Sequence, residues 1–204
     1  MKKPKVTAII GTYRRGGIVD AAVGEILAAA EKNGAETSSI YLMDRRIEFC
    51  TNCRTCTQKE GRERGVCPLA DDMADILDLI EQSDSIILAS PMNFGTVTAV
   101  MKRFIERLVC YAWWPWGKPA PKLRNKLREK RAVLVASSAA PALLARTTSS
   151  MGRLLKDIAG LLGARPVGTL YIGLAALKQH QDIGRIARMK ARYLGRKLAK
   201  ERKA

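Results

Sequence analysis

The chain has 204 residues, 47% of them hydrophobic and 27% charged, enough for one domain of roughly 150 residues and some extra chain. That mixture excludes collagen, a mucin-like stalk and a chain too polar to build a core. Lysine and arginine outnumber aspartate and glutamate by 36 to 19, a net +17, which brings nucleic acid and anionic membranes into view as partners.

Residues 5–12 (KVTAIIGT) form a continuous apolar, β-branched run ending at glycine, the mark of a strand buried on both faces. Residues 18–33 are alanine-rich with helical spacing, and Asn33-Gly34 supplies the stop. Residues 36–41 read as a short strand, and residues 68–82 as a helix with acidic groups in its first turn, where the macrodipole favours them. Residues 85–89 (SIILA) are a second buried strand, followed by a helix over 98–110 that Thr98 would cap. A strand over 131–136, a helix over 147–162, a strand over 166–171 and a helix over about 182–200 complete the chain. Five βα units predict an α/β, three-layer sandwich, a five-stranded parallel sheet in the flavodoxin-like order 2-1-3-4-5 with helices on both faces. Ligands of such folds lie beyond the strand C-termini, at the switch point between the first and third strands.

The charge excess is uneven. Residues 118–131 carry +6 and residues 178–204 carry +8, so the rest of the molecule is nearly balanced and a nucleic-acid or membrane role is the lesser expectation. No apolar run nears the roughly 20 residues of a membrane span. No secretory segment follows Met1-Lys2-Lys3-Pro4, so a cytoplasmic protein is expected. The last helix, within 178–204, is expected to dock on a unit spanning 1–177 as part of one domain, through Ile183, Ile186, Ala187, Leu194 and Leu198. His180, the single histidine, is expected to be an exposed polar residue at its start.

Three loops should meet at the strand ends. The first, Gly11-Thr12-Tyr13-Arg14-Arg15-Gly16-Gly17, joins a buried strand to a helix N-terminus and suits an anion. It is neither a nucleoside-triphosphate P-loop nor a G-x-G-x-x-G turn. The second, Ser90-Pro91-Met92-Asn93-Phe94-Gly95, suits a flat heteroaromatic ring, and the third, Ser137-Ser138-Ala139, suits a ring edge against backbone.

In these segments ("GTYRRGG", "FCTNCRTC…CPLADDM", "ASPMNFGTVTAVMKRFIER" and "SSAA") the chain resembles the NAD(P)H-dependent FMN reductase family, near its iron–sulfur flavoprotein branch, over about residues 5–175. The resemblance implies bound FMN, reduced by NAD(P)H and reoxidised by a small acceptor such as a quinone or another flavin. It also implies a homodimer or tetramer. Thr12 stands where a phosphate-binding serine is usual, Arg14 matches the arginine of that loop, and Gly16, Gly17, Ile18 and Val19 surround the phosphate. Pro91, Met92, Asn93, Phe94 and Gly95 match the ring-binding loop, and Ser137, Ser138 and Ala139 the loop at the pyrimidine edge. Ile18-Val19 departs from the family's Asn-Thr or Ser-Thr, removing two polar phosphate contacts. The cofactor carries the chemistry, so no catalytic side chain is expected.

Cys50-x2-Cys53-x2-Cys56 with Cys67-Pro68 is thiolate-rich enough for a [4Fe–4S] cluster. A tetrahedral zinc site and a bare thiol loop are the other readings. With a cluster, a ferredoxin-like protein becomes a natural electron partner. The polar insert over 57–66 is longer than the compact gap of the relatives and is expected to loop out. Cys110 is expected in the core. The loop Trp113-Trp114-Pro115-Trp116-Gly117 reads either as a cover over the flavin face or as packing against the core or a partner subunit. A second function, a non-catalytic basic module binding RNA or an anionic membrane surface, is motivated by the two appendages and by Ile18-Val19.

Overall fold

The computed structural model describes residues 2–178 and 181–200; His180 lies outside them. β1 (Lys5–Ile10) leads to α1 (Ile18–Lys32) and back to β2 (Glu36–Tyr41). The single-turn α2 (Thr55–Gln58) and α3 (Met73–Gln82) follow. β3 (Ser85–Asn93) folds back as β4 (Thr96–Val97) before α4 (Ala99–Arg107). A small ribbon, β5 (Ala112–Trp113) with β6 (Lys122–Leu123), precedes β7 (Lys130–Ser137). α5 (Ala142–Thr148), α6 (Met151–Leu161), β8 (Ala164–Ile172) and α7 (Arg185–Leu198) close the chain.

The long strands are parallel in the order β2-β1-β3-β7-β8, which is the expected 2-1-3-4-5 once the short hairpin strands are set aside. Alternation along each strand divides the core. Ile9, Leu88 and Leu134 face the layer of α3, α4 and α6, whereas Ala8, Ile87 and Val133 face α1 and α7. α1 ends in a Schellman turn: Ala35 N donates to Ala30 O at 3.1 Å and Gly34 N to Glu31 O at 2.9 Å, with Gly34 at φ 87°.

Three elements differ from expectation for identifiable reasons. The helix expected over 68–82 begins only at Met73: Asp71 and Asp72 lie ahead of it, their carboxylates accepting from the backbone amides of Glu48 and Arg46, and Asp71 also accepts from Met73 N at 3.1 Å. The helix expected over 147–162 is split into α5 and α6. Thr147, Thr148 and Ser149 donate to the carbonyls of Leu143, Leu144 and Ala145, competing with continuation of the helix. Ile186 is 84% exposed, since at 3.6 residues per turn it stands about 80° from Leu194 around the helix.

α7 lies directly on α1. Ala191, Leu194 and Leu198 are buried, and Arg188 and Arg192 pair with Glu25 at 2.8 and 2.7 Å. Close approach requires Gly195, where a Cβ would stand 2.2 Å from the Ile26 carbonyl oxygen. Gly195→Ala should therefore cost about 1–3 kcal/mol in denaturant unfolding. Gly24→Ala, on the open side of α1 with nothing within 4 Å, should instead gain about 0.5–1 kcal/mol.

Candidate functional site

The chain leaves β1 at a crowded point. A Cβ on Gly11 would lie 2.7 Å from Met101 Cβ, so only glycine lets the strand end meet α4. The buried Thr98 hydroxyl donates to Gly11 O at 2.6 Å and accepts from Met101 N at 3.3 Å, joining the two loops while capping α4 as expected. Buried Thr12 accepts from Arg14 N at 3.2 Å, and the Tyr13 hydroxyl accepts from Val100 N at 3.2 Å. Gly17 opens α1 without a side-chain cap, so first-turn amides are available to an anion. Ile18 and Val19 are buried in the core over β1, and their side chains serve packing. Arg15 turns away from this end, stacking on Tyr41 at 3.7 Å and pairing with Asp44. Asp20 accepts from Gly16 N at 2.7 Å. Burial raises its carboxyl above the usual range, against the opposing pull of that amide and Arg15.

Beyond the strand ends lies a cleft of about 570 Å³, within the size range of small-molecule sites. Thr12, Arg14, Gly17, Ile18 and Val19 form one wall, Pro91, Met92 and Asn93 a second, and Ser137, Ser138 and Ala139 a third. Gly16, Phe94 and Gly95 do not line it. Gly16 is exposed with its amide on Asp20, and Phe94 and Gly95, at φ 48° and 76°, are the two-residue turn between β3 and β4.

A fourth wall was not anticipated: Ala175, Ala176, Lys178 and Gln181. The segment after β8 is drawn onto the third loop by Ser138 N to Ile172 O and Ala175 N to Ser138 O, both 2.9 Å. Gly173 permits this, because a Cβ would stand 2.1 Å from Ala142 N. Its place after a last strand, like the other three loops, was the available signal.

The cysteines gather at a different place. Cys50, Cys53, Cys56 and Cys67 line one small cavity with Arg54, Arg107 and Val109. Among the described residues, no three His, Cys, Asp or Glu groups converge tightly enough for a single metal ion. Asn52 and Arg54, at φ 56° and 60°, are left-handed turns on either side of Cys53. Arg54 is clamped there, its guanidinium 3.9 Å from the Trp114 ring and 4.2 Å from Trp116, with Nη2 donating to Trp114 O at 2.6 Å. The tryptophan loop thus covers the cysteine loop, and none of its three rings lines the cleft. The insert does not loop out freely. Gly65 N donates to Cys110 O at 2.8 Å, Arg124 donates to Gly61 O at 3.3 Å, and Arg64 pairs with Glu81 at 2.7 Å.

Burial, then the neighbouring sulfurs of Cys67, Cys50 and Cys53, raises the Cys56 thiol, whereas the Thr55 hydroxyl lowers exposed Cys53. Cys110 is in the core as expected, its thiol pushed up to about 12 by burial. Arg107 and Asp71 form a buried ion pair, 2% and 1% exposed. For Asp71, burial alone would raise the carboxyl, but Arg107 and the amides of Glu48 and Met73 hold it below the usual range.

A family profile described as NADPH-dependent FMN reductase matches residues 4–176. An iron-sulfur flavoprotein of Archaeoglobus fulgidus is 36% identical over 111 residues, covering 54% of this chain and 48% of that protein. One of Methanocaldococcus jannaschii is 38% identical over 103 residues, covering 50% and 51%. The chain spans about half the length of the curated relatives it matches. An NAD(P)H:quinone oxidoreductase from Methanothermobacter marburgensis superposes with TM-score 0.72 at 17% identity, covering 100% of both chains. An FMN-dependent NADH-azoreductase from Bacillus anthracis, solved in complex with FMN, gives 0.68 at 12% identity over 96% of this chain and 100% of that one. At such identities the likeness shows the fold, the flavodoxin-like arrangement expected from the sequence. None of these comparisons supports the basic binding module.

Two outcomes follow for the site's scaffold. Thr98→Val leaves Gly11 O and Met101 N without their partner and should lower stability by about 1–3 kcal/mol in denaturant melts. Asp71→Asn should lower stability at neutral pH by about 3–5 kcal/mol. The depressed Asp71 carboxyl contributes stability above the unfolded value of about 3.9 that disappears as pH falls through the folded one. The gap between wild type and variant, followed by thermal melts, should therefore begin to narrow below about pH 4 and close only as the folded-state carboxyl itself protonates.

Proposed function

The chain belongs to the NADPH-dependent FMN reductase family, and from that membership we propose that it is an FMN-dependent oxidoreductase, taking electrons from NAD(P)H for a small acceptor such as a quinone or a flavin. The observation that carries this is the four-walled cleft at the strand ends, with an uncapped helix N-terminus at one side. Bound FMN supplies the two-electron chemistry between reduced nicotinamide and acceptor.

The chain's part is to bind and orient. The amides of α1's first turn, with Arg14 and Thr12, take the phosphate; Arg14 provides the charge that Ile18-Val19 do not. Pro91, Met92 and Asn93 flank the ring, and Ser137 and Ala139 meet its pyrimidine edge, where donors stabilise negative charge. Ser138 N is committed to Ile172 O at 2.9 Å and serves that loop's shape instead.

Cys50, Cys53, Cys56 and Cys67 fit a [4Fe–4S] cluster better than zinc. Each thiolate of a cluster binds a different iron, so the ligands stand around a shared space rather than on one point. These four share a cavity without converging. A ferredoxin-like protein would exchange electrons at the exposed Cys53 side. Exposed Tyr13, Phe94, Leu143 and Leu144 suit a homodimer or tetramer closing near the cleft. Among the described residues no helix is long and apolar enough to cross a membrane, in keeping with action in the cytoplasm.

Titration of the purified protein with FMN, followed by quenching of flavin fluorescence, tests the reading. Arg14→Ala should weaken FMN binding by about 1–3 kcal/mol, while Arg196→Ala, beside Lys32 and Asn33 at the end of α1 and outside the cleft, should leave it unchanged. Folded wild type that neither binds FMN nor oxidises NADPH in its presence would overturn it.

A further inference from the structure

Arg107 is the last residue of α4, its side chain 2% exposed, in the wall of the cysteine cavity. Its guanidinium is divided among three acceptors. Nη1 donates to Glu48 O at 2.8 Å and to Asp71 Oδ2; Nη2 donates to Asp71 Oδ1 at 3.1 Å and to Cys67 Sγ at 3.4 Å. Pairing with Asp71 alone would need a single bidentate face, and the bond to sulfur points the remaining charge into the cavity. Among the described lining residues the other cation is Arg54, and its guanidinium is held between Trp114 and Trp116.

Resting on the reading that the four cysteines hold a metal centre, we propose that Arg107 is that centre's charge-compensating positioning residue, fixed by Asp71 and acting through the Cys67 sulfur. Four thiolates leave net negative charge on either a divalent ion or a [4Fe–4S] core. Sequestering such charge is costly without a paired, hydrogen-bonded cation. Asp71 holds the cation in place where solvent cannot. Cys67 and Asp71 stand on one short segment, so the ligand and the clamp on its partner are brought to α4 together.

The test uses the full chain, purified anaerobically, as wild type, Arg107→Gln, Arg107→Lys and the double variant Arg107→Gln with Asp71→Asn. The double variant leaves no orphaned buried carboxylate and so keeps the comparison open if the single variant does not fold. Iron and sulfide content of wild type tests the cluster reading itself. Cobalt(II) added to the reduced, metal-free proteins, read by thiolate-to-cobalt charge-transfer absorbance, tests Arg107 independently of iron. Arg107→Gln and the double variant should bind cobalt at least tenfold more weakly, with Arg107→Lys intermediate, because it keeps the charge but not the planar fork that reaches Asp71 and Cys67 together. In iron-loaded protein, the loss should disfavour reduction tenfold, about 59 mV for one electron. Wild type lacking iron but showing the cobalt differences would end the cluster reading and leave the proposal standing. Iron-containing wild type whose Gln variants match it in cobalt affinity and potential would overturn the proposal alone. Wild type that holds neither iron nor cobalt would overturn both, and where iron-containing wild type binds no single cobalt ion, a potential unchanged in the Gln variants would overturn the proposal alone.

Discussion

The Thr98 hydroxyl lies where two loops and a helix meet, fully buried, donating to Gly11 O and accepting from Met101 N. An alcohol is suited to this, because it donates once and accepts at the same time. The bond holds the end of β1 against the start of α4, and Gly11 leaves no side chain in between. Two of the four cleft walls take their position from that junction: Thr12 and Arg14 follow Gly11, and Asn93 precedes Thr98 across a tight hairpin.

α4 also transmits this placement to the cysteine loop. Its nine residues span about 14 Å, with Thr98 at one end and Arg107 at the other. The cleft and the cysteine cavity are thus set relative to one another by one rigid element packed in the core through Met101 and Phe104. Around the cavity the backbone is less regular, with left-handed Asn52 and Arg54 turning the chain between cysteines. Such a conformation at arginine is unfavourable, and the stacking of its guanidinium between two tryptophans offsets it. The tryptophan loop and the basic segment after it, through Arg124, therefore serve the cysteine loop, and part of the positive charge there is engaged with backbone carbonyls.

Much of this was legible from local pattern. Short apolar runs with β-branched residues over 5–12, 85–89 and 131–136 read as strands covered on both sides, and their alternation with helices implies a parallel sheet. Strand ends then mark where three of the four cleft walls come from. The fourth was hidden because residues 173–178 have no periodicity, and their placement depends on the close approach of Gly173 to Ala142. Phe94 was misplaced for a related reason: a loop motif gives its residues but not which of them a hairpin turn carries outward.

The sequence by itself determined the strands and the helices between them, the helix stop at Asn33-Gly34, the cap at Thr98 and the closeness of Cys50, Cys53 and Cys56, because each depends on neighbours a few residues apart; the alternation of those elements then implied the sheet order. Only tertiary structure decided that Asp71 would leave its helix for Arg107, that Arg15 would turn to Asp44, and that the tryptophans would cover the cysteines. Those choices join residues 29 to 60 positions apart. A charged or aromatic side chain has many equivalent partners along a chain, and burial selects among them only once the layers have closed.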